Sequence, residues 1–244
     1  MFLQIKMYFC LIINGMTHSE ENYLKAIYHL GQQGHSAITT NAIAEQMETK
    51  PSSVTDMVKK LAEKALVHYR RYQGVSLTEK GRQTALAVIR KHRLWELFLV
   101  EKLGFSWDEV HEVAEQLEHI KSEKLIDQLD RLLGFPGYDP HGDPIPGKNG
   151  ELMERDKQPL SEFPPGTSGI FVGVKDSSAS FLKFLDRHRI ALGQELTVLE
   201  VEAYDGSLRI SHGGRKFQVS QLVAANLFMK EIASQPSKPG PHEK

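Results

Sequence analysis

Two stretches of the sequence pair histidine with glutamate at a spacing of four residues. The first contains His92 and Glu96. The members of the second are His111, Glu115, Glu118 and His119. Residues three and four apart share one face of a helix, so each stretch would hold imidazole and carboxylate groups side by side. Nitrogen and oxygen donors without sulfur suit Mn²⁺, Fe²⁺, Co²⁺ or Zn²⁺, and the spacing therefore predicts a metal site.

Other interpretations of these residues stay open at this point. The second stretch fits a solvated acidic helix face, and His92 fits a core histidine with satisfied hydrogen bonds. The same pairing on two helices favours cation binding, as does the charge of residues 94–163, which carry seven Lys or Arg against sixteen Asp or Glu. A metallohydrolase with Glu115 as base is disfavoured because no further nucleophile or acid accompanies it, so we expect no catalytic residues.

The elements before these helices follow a recognisable order. They are predicted as a helix from His18 to Leu30, a helix from Asn41 to Met47 capped by Thr40, a helix from Pro51 to Lys64, and a hairpin within 66–77 that turns at Gln73–Gly74. Helix, helix, turn, helix and hairpin is the order of a winged helix-turn-helix domain.

Positive charge is concentrated in the same region. Residues 36–93 carry eleven Lys or Arg against five Asp or Glu, a local charge of +6 in a chain of net charge -1. Hydroxyls and lysines at the start of a helix suit phosphate and base-edge contacts in a major groove, although a polar helix face beside a solvated hairpin is the alternative. The residues expected to contact DNA are Thr40, Lys50, Ser52, Ser53, Thr55, Asp56, Lys59, Lys60, Arg70 and Arg71.

The rest of the chain is predicted as two long helices, from about Thr78 to Lys102 and from Trp107 to about Leu133, followed by a β-rich module. The middle of the first long helix is apolar on nearly all sides, which predicts a homodimer. The predicted division is an extension at 1–15, a DNA-binding domain at 16–80, a helical metal-binding and dimerisation domain at 81–150, a linker at 151–166, a small barrel at 167–232 and a disordered tail at 233–244.

The composition of the chain is consistent with these predictions and narrows the class of protein. The 244 residues, 40% hydrophobic and 25% charged, are typical of a globular protein of one to three domains. Cys10 is the single cysteine, which excludes an internal disulfide and fits a cytoplasmic protein. The apolar residues 1–13 are too short to span a bilayer, so we expect no membrane contact. Met16 is predicted as the natural start, and a short segment packing on the fold is the alternative for residues 1–15.

Taken together, these stretches resemble the diphtheria toxin repressor family of metal-dependent regulators over residues 18 to about 232. The likeness is carried by ENYLKAIYHL (21–30), PSSVTDMVKKL (51–61), LTEKGR (77–82), RKHRLWE (90–96), WDEVHEVAEQLEHIKSE (107–123) and DPHGDPIP (139–146). The resemblance implies a mainly α fold with small β parts. Its three parts would be the winged helix, the helical metal-binding and dimerisation domain, and a C-terminal SH3-like β-barrel.

The resemblance also implies two metal sites. One would consist of His92, Glu96 and His111, completed by Asp176. The other would consist of Glu115, Glu118, His119 and Asn22. The iron-responsive branch of the family has cysteine at the position of Glu115, whereas the manganese branch has a carboxylate.

Two positions of the first helix depart from the pattern of the manganese branch. Asn22 replaces an aspartate, and its amide oxygen is a neutral and weaker ligand. Lys25 stands where that branch can use a carboxylate, and a cationic lysine cannot ligate. A two-metal cluster is therefore in doubt.

The expected function is a homodimeric repressor of manganese and iron homeostasis genes that binds operator DNA, expected to be palindromic, when metal is present. Mn²⁺ is the preferred co-repressor because Glu115 is a hard donor. Fe²⁺ is possible, and Zn²⁺ or Co²⁺ are expected to bind in vitro. The alternative is a metal-independent winged-helix repressor with remnant metal sites, which the departures at Asn22 and Lys25 favour.

Overall fold

The computed structural model describes residues 15–32, 38–70, 73–153 and 155–232. The expectations for residues 1–14, Arg71 and the tail lie outside these ranges. The chain divides into two compact units. The first comprises residues 1–106, 110–139 and 144–153, and the second comprises 107–109, 140–143 and 154–244. Among the described residues, no helix is long and apolar enough to cross a membrane.

The first unit contains six helices and one hairpin within its described residues. They are α1 (His18–Gln32), α2 (Thr40–Gln46), α3 (Pro51–Glu63), β1 (Val67–Arg70), β2 (Gly74–Leu77), α4 (Glu79–Leu103), α5 (Val110–Leu117) and α6 (Glu123–Leu132). The hairpin is antiparallel, and its register pairs Val67 with Leu77 and Arg70 with Gly74. The order confirms the predicted winged helix-turn-helix arrangement.

Local capping explains where these helices begin and end. The hydroxyl of Thr39 accepts the backbone N–H of Ala42 at 3.1 Å, so Thr39 and not the predicted Thr40 caps α2. Thr78 caps α4 as predicted, with its hydroxyl 3.0 Å from the backbone nitrogen of Gly81. Gly104 ends α4 in the left-handed conformation with φ 72°.

The helix predicted from Trp107 to Leu133 is broken in the structure. Helix α5 ends at Leu117, and α6 begins at Glu123 after a turn. Ser122 starts the new helix because its hydroxyl accepts the N–H of Leu125 at 3.3 Å. Glu118 and His119 therefore follow α5 in the turn, although the N–H of Glu118 still donates to the carbonyl of Ala114 at 2.8 Å.

Two apolar clusters hold the first unit together. One joins α1, α2, α3 and the hairpin, and it includes the fully buried Leu24, Ile43 and Leu61. The other lies between α4, α5 and α6 and includes Leu94 and Val110. The apolar residues of α4 are thus largely covered within the protomer, so their burial does not by itself require a second chain.

The second unit is a six-stranded antiparallel sheet with strand order β3-β8-β4-β5-β6-β7. Its elements are β3 (Gln158–Pro159), a 3-10 turn (Leu160–Glu162), β4 (Ser168–Val174), α7 (Ala179–His188), β5 (Glu195–Val201), β6 (Leu208–His212), β7 (Arg215–Val219), α8 (Gln221–Ala225) and β8 (Leu227–Glu231). This is the predicted SH3-like module. It begins inside the segment predicted as a linker, because Leu160 and Phe163 are buried in its core.

Candidate metal centre

The first predicted site is assembled by α4 and α5. Glu96 Oε1 lies 3.0 Å from His92 Nε2 and 3.3 Å from His111 Nδ1, and the two ring nitrogens are 3.2 Å apart. Two ligands about 2.1 Å from a shared ion are roughly 3.0–3.4 Å apart at the angles of octahedral or tetrahedral coordination. The three donor atoms therefore fit one divalent ion.

The position of the site relative to solvent favours exchange with dissolved metal. The side chains of His92 and Glu96 are 9% and 4% exposed, whereas that of His111 is 62% exposed. Two ligands are thus fixed in the protein and the third lies at the surface. Three protein ligands leave further coordination positions open, as is common for Mn²⁺ and Fe²⁺.

A carboxylate behind the first site orients His92. Glu118 Oε2 lies 2.6 Å from His92 Nδ1, the ring nitrogen that faces away from Glu96. Burial would lower the pKa of His92, but its hydrogen bonds to Glu118 and Glu96 outweigh burial and raise the pKa to about 9. A carboxylate that binds the second nitrogen of a metal-ligating histidine fixes its tautomer and orientation.

The second predicted site is filled by a side chain of α1. Lys25 Nζ donates to Glu115 Oε1 at 2.9 Å and to both carboxylate oxygens of Glu118 at 2.8 Å. Burial would raise the pKa of Glu118, but His92 and Lys25 together hold it below its ordinary value. The predicted ligands Glu115 and Glu118 therefore come together around an ammonium group.

The remaining residues of the second site are arranged differently from the prediction. His119 Nδ1 lies 2.6 Å from Oε2 of the fully buried Glu21. The ring of His119 also stacks on that of His18, with centroids 4.3 Å apart. Within the part of the chain that the structure describes, Asn22 Oδ1 and Glu21 Oε1 are buried with no hydrogen-bond partner. The donor set of this site thus does not fit a second ion while Lys25 is in place.

Asp176 lies in the second unit, where its Oδ1 accepts the backbone N–H of Ser178 at 2.8 Å. This contact is local and shapes the turn before α7. Its assignment as a metal ligand stays a prediction.

Comparison with known proteins decides the family. Three family models match: the iron dependent repressor N-terminal DNA binding domain over residues 15–75, the iron dependent repressor metal binding and dimerisation domain over 78–147, and the FeoA domain over 158–231. The diphtheria toxin repressor of Corynebacterium efficiens is 32% identical over 230 residues, which cover 89% of this chain and 97% of that protein. The chain belongs to the diphtheria toxin repressor family.

Further members of the diphtheria toxin repressor family match in part or in structure. The iron-dependent repressor IdeR of Mycobacterium bovis is 37% identical over 135 residues, and the match spans 55% of this chain and 58% of IdeR. A solved manganese-dependent transcriptional repressor in complex with manganese is 34% identical, with a TM-score of 0.77 over 87% of this chain and 100% of that one. The manganese regulator SloR is 35% identical with a TM-score of 0.70 over 89% of this chain and 100% of that one. The family thus consists of metal-dependent transcriptional repressors, and both iron-dependent and manganese-dependent members resemble this chain.

Within this family the winged helix reads DNA, and most of the predicted contact residues are accessible. Lys50, Ser52, Ser53, Asp56, Lys59, Lys60 and Arg70 are exposed, while Thr40 and Thr55 are half-buried. Several of these side chains also have structural contacts. Thr55 donates to the carbonyl of Pro51 at 3.0 Å, Asp56 lies 3.7 Å from Lys59, and Lys60 lies 3.1 Å from Glu20. Their contacts with DNA stay predictions.

Sequence reasoning missed Glu20 and Glu21, which are both fully buried. Glu20 binds Lys60 at 3.1 Å and Lys64 at 2.6 Å, and so joins α1 to α3. Burial would raise the pKa of Glu20, but Lys64, the backbone of Thr17 and Lys60 lower it to about 2. The only sequence signal was the glutamate pair itself, which is typical of the first turn of a solvated helix.

Proposed function

We propose that this chain is a cytoplasmic, homodimeric repressor that binds operator DNA, in palindromic sites, when Mn²⁺ or Fe²⁺ occupies the site of His92, Glu96 and His111. The observation that carries the proposal is the spacing of 3.0–3.3 Å among the three donor atoms of these residues. In the matched families this part of the chain is the metal binding and dimerisation domain. The genes controlled would belong to manganese or iron homeostasis.

Contacts within the first unit connect this site to the DNA-reading helix. His92 binds Glu118, and Glu118 binds Lys25 on α1. Five residues earlier on the same helix, Glu20 binds Lys60 on α3 and Lys64 at the C-terminal cap of α3. A metal ion would add a link between α4 and α5 and would favour one arrangement of His92. Metal would thereby bias the position of α1 and α3 in a population shift toward the DNA-binding geometry.

The choice of metal follows from donor chemistry. Imidazole and carboxylate donors without sulfur suit Mn²⁺ and Fe²⁺, and we propose that Mn²⁺ is preferred. Affinity at such a site still follows the Irving–Williams order, so Zn²⁺ and Co²⁺ are expected to bind in vitro. The decisive quantity is therefore the activation of DNA binding by each metal. Asp176 is a proposed additional ligand.

A metal-independent repressor is the second candidate. The observation that favours it is Lys25, which already balances the carboxylates of the predicted second site without metal. This alternative predicts that DNA binding is unchanged when metal is removed.

The test compares chelator-stripped and Mn²⁺-loaded protein on promoter DNA at fixed salt, because phosphate contacts make affinity salt-dependent. We expect metal to tighten binding at least tenfold for the wild type and not for His111→Ala, which loses the exposed ligand. Glu112→Ala is the matched control, because Glu112 is exposed on the same helix. Affinities within twofold with and without metal would refute the proposal and support the metal-independent alternative.

A further inference from the structure

Lys25 places its ammonium group between Glu115 and Glu118, two of the predicted ligands of the second metal site. We infer that Lys25 is a built-in cation that replaces the ion of this site, so that each protomer binds one regulatory metal and α1 is tied to the metal-binding region without a second one. The inference rests on the proposed function, because it concerns how many metal sites the same switch uses.

The geometry around Lys25 is that of a filled cation site. An ammonium group has three N–H donors, and three carboxylate oxygens lie 2.8–2.9 Å from this one, Oε1 of Glu115 and both oxygens of Glu118. The side chain of Lys25 is 13% exposed and that of Glu118 is fully buried. An exposed ion pair contributes little, whereas a buried carboxylate needs a partner in place.

Charge balance also opposes a second ion at this position. Three carboxylates lie in this region, those of Glu21, Glu115 and Glu118. Lys91, which is 8% exposed, interacts electrostatically with Glu21 and Glu118. Lys121 also interacts electrostatically with Lys91, so Lys25 and these two lysines supply three positive charges against these three negative ones. A divalent ion in addition would leave an excess of positive charge in a largely buried space, which is costly.

The other predicted ligands of the second site give no substitute for the carboxylates. His119 Nδ1 is bonded to Glu21 Oε2 at 2.6 Å. Asn22 Oδ1 has no hydrogen-bond partner among the described residues, but one neutral amide oxygen is too weak to hold a divalent ion by itself. If Lys25 were replaced by an uncharged residue, Asn22, three residues earlier on the same helix, would be available together with the freed Glu118 and Glu115. A second ion would then have a set of oxygen ligands.

The experiment measures bound Mn²⁺ per protomer by calorimetry and by metal analysis after dialysis, starting from full-length chelator-stripped protein. We expect one Mn²⁺ for the wild type and one for Glu115→Gln, whose side chain is 43% exposed, so that the change leaves the fold intact. Lys25→Met should lower the Tm in chelator by about 10 °C, because it removes the ammonium group that bonds both oxygens of the buried Glu118. It should also bind a second Mn²⁺ that restores the Tm. Lys124→Met, an exposed lysine on α6, is the control and should match the wild type.

The outcomes separate this inference from the proposed function. If the wild type bound two Mn²⁺ per protomer and Glu115→Gln bound one, metal would displace Lys25. This result would overturn the inference, but the proposed metal-dependent repressor would stand. A single Mn²⁺ in a folded Lys25→Met protein would also overturn it. No Mn²⁺ in the wild type would refute the proposed function itself. If Lys25→Met does not fold, the number of Mn²⁺ ions bound by the wild type and by Glu115→Gln still tests the inference.

Discussion

The ring of His92 joins the two predicted metal sites, because its Nδ1 lies 2.6 Å from Glu118 while its Nε2 lies 3.0 Å from Glu96. Glu118 was expected to be a ligand of the second site. In the structure, Glu118 lies behind His92, a predicted ligand of the first site, and orients the ring of that histidine. The two sites are therefore not independent.

Replacing Glu118 by glutamine should weaken Mn²⁺ binding at the first site by about 10–100-fold, although Glu118 is not one of the predicted ligands of that site. The neutral amide orients His92 less well and is a poorer hydrogen-bond acceptor for its Nδ1–H. Calorimetric titration of the two proteins checks this, with the exposed Glu112→Gln as control. Equal affinities for wild type and Glu118→Gln would show that the contact has no role in metal binding.

Glu20→Gln should destabilise the first unit in a pH-dependent manner. The folded pKa of Glu20 is lowered from 4.5 to about 2, so its ion pairs stabilise the protein above pH 4.5 and are lost as the pH falls toward 2. We expect the variant to lose about 2 kcal/mol of unfolding free energy at pH 7 and the difference to vanish near pH 2. Urea unfolding of both proteins between pH 2 and pH 7 measures the difference in unfolding free energy. A difference that did not depend on pH would contradict the role of the Glu20 charge.

Lys59→Ala should weaken binding to all DNA sequences alike and reduce the salt slope of the affinity by about one. Lys59 is exposed on α3, where its ammonium group lies 3.7 Å from the carboxylate of the exposed Asp56. Fluorescence anisotropy at several salt concentrations is the measurement, with Lys124→Ala as control. A loss confined to one operator sequence would instead indicate a base contact.

The homodimer should form through the apolar face of α6, since α4 is covered within the protomer. Leu125 and Leu132 are seven residues apart on this helix and are 41% and 61% exposed, and Phe135 beyond it is 68% exposed. The double substitution Leu125→Glu and Leu132→Glu should convert dimer to monomer in sedimentation experiments at micromolar concentration. Leu152→Glu, on a residue 36% exposed outside this face, is the control. A stable dimer in the double variant would place the interface elsewhere.

Much of this architecture could be predicted from the sequence because the signals are local. Thr78 and Gly104 bound α4 through caps that lie within a few residues of the helix ends. The spacing of His92 and Glu96 likewise depends only on helix geometry. The break after Leu117 was missed because the apolar pattern continues through it, although Ser122 marks a new helix start.

Contacts between distant segments were beyond the reach of such reasoning. Glu118 pairs with Lys25 across 93 positions, and His119 pairs with Glu21 across 98. The sequence showed that Lys25 could not ligate a metal, but only the packing of α1 shows that its ammonium group lies between Glu115 and Glu118. The pairing of β8 with β4 and β3 could not be predicted for the same reason, because it depends on segments far earlier in the chain.

The single metal site per protomer that we infer from Lys25 also limits how steeply the repressor can respond to metal. Cooperativity requires more than one site, and the Hill coefficient cannot exceed the number of coupled sites. A protomer with one exchangeable ion can show no cooperativity by itself, so any sigmoidal response must arise between the two protomers of the dimer. The Hill coefficient of operator binding by one dimer as a function of free Mn²⁺ is then at most about two. Operator occupancy therefore changes gradually over a wide range of metal concentration.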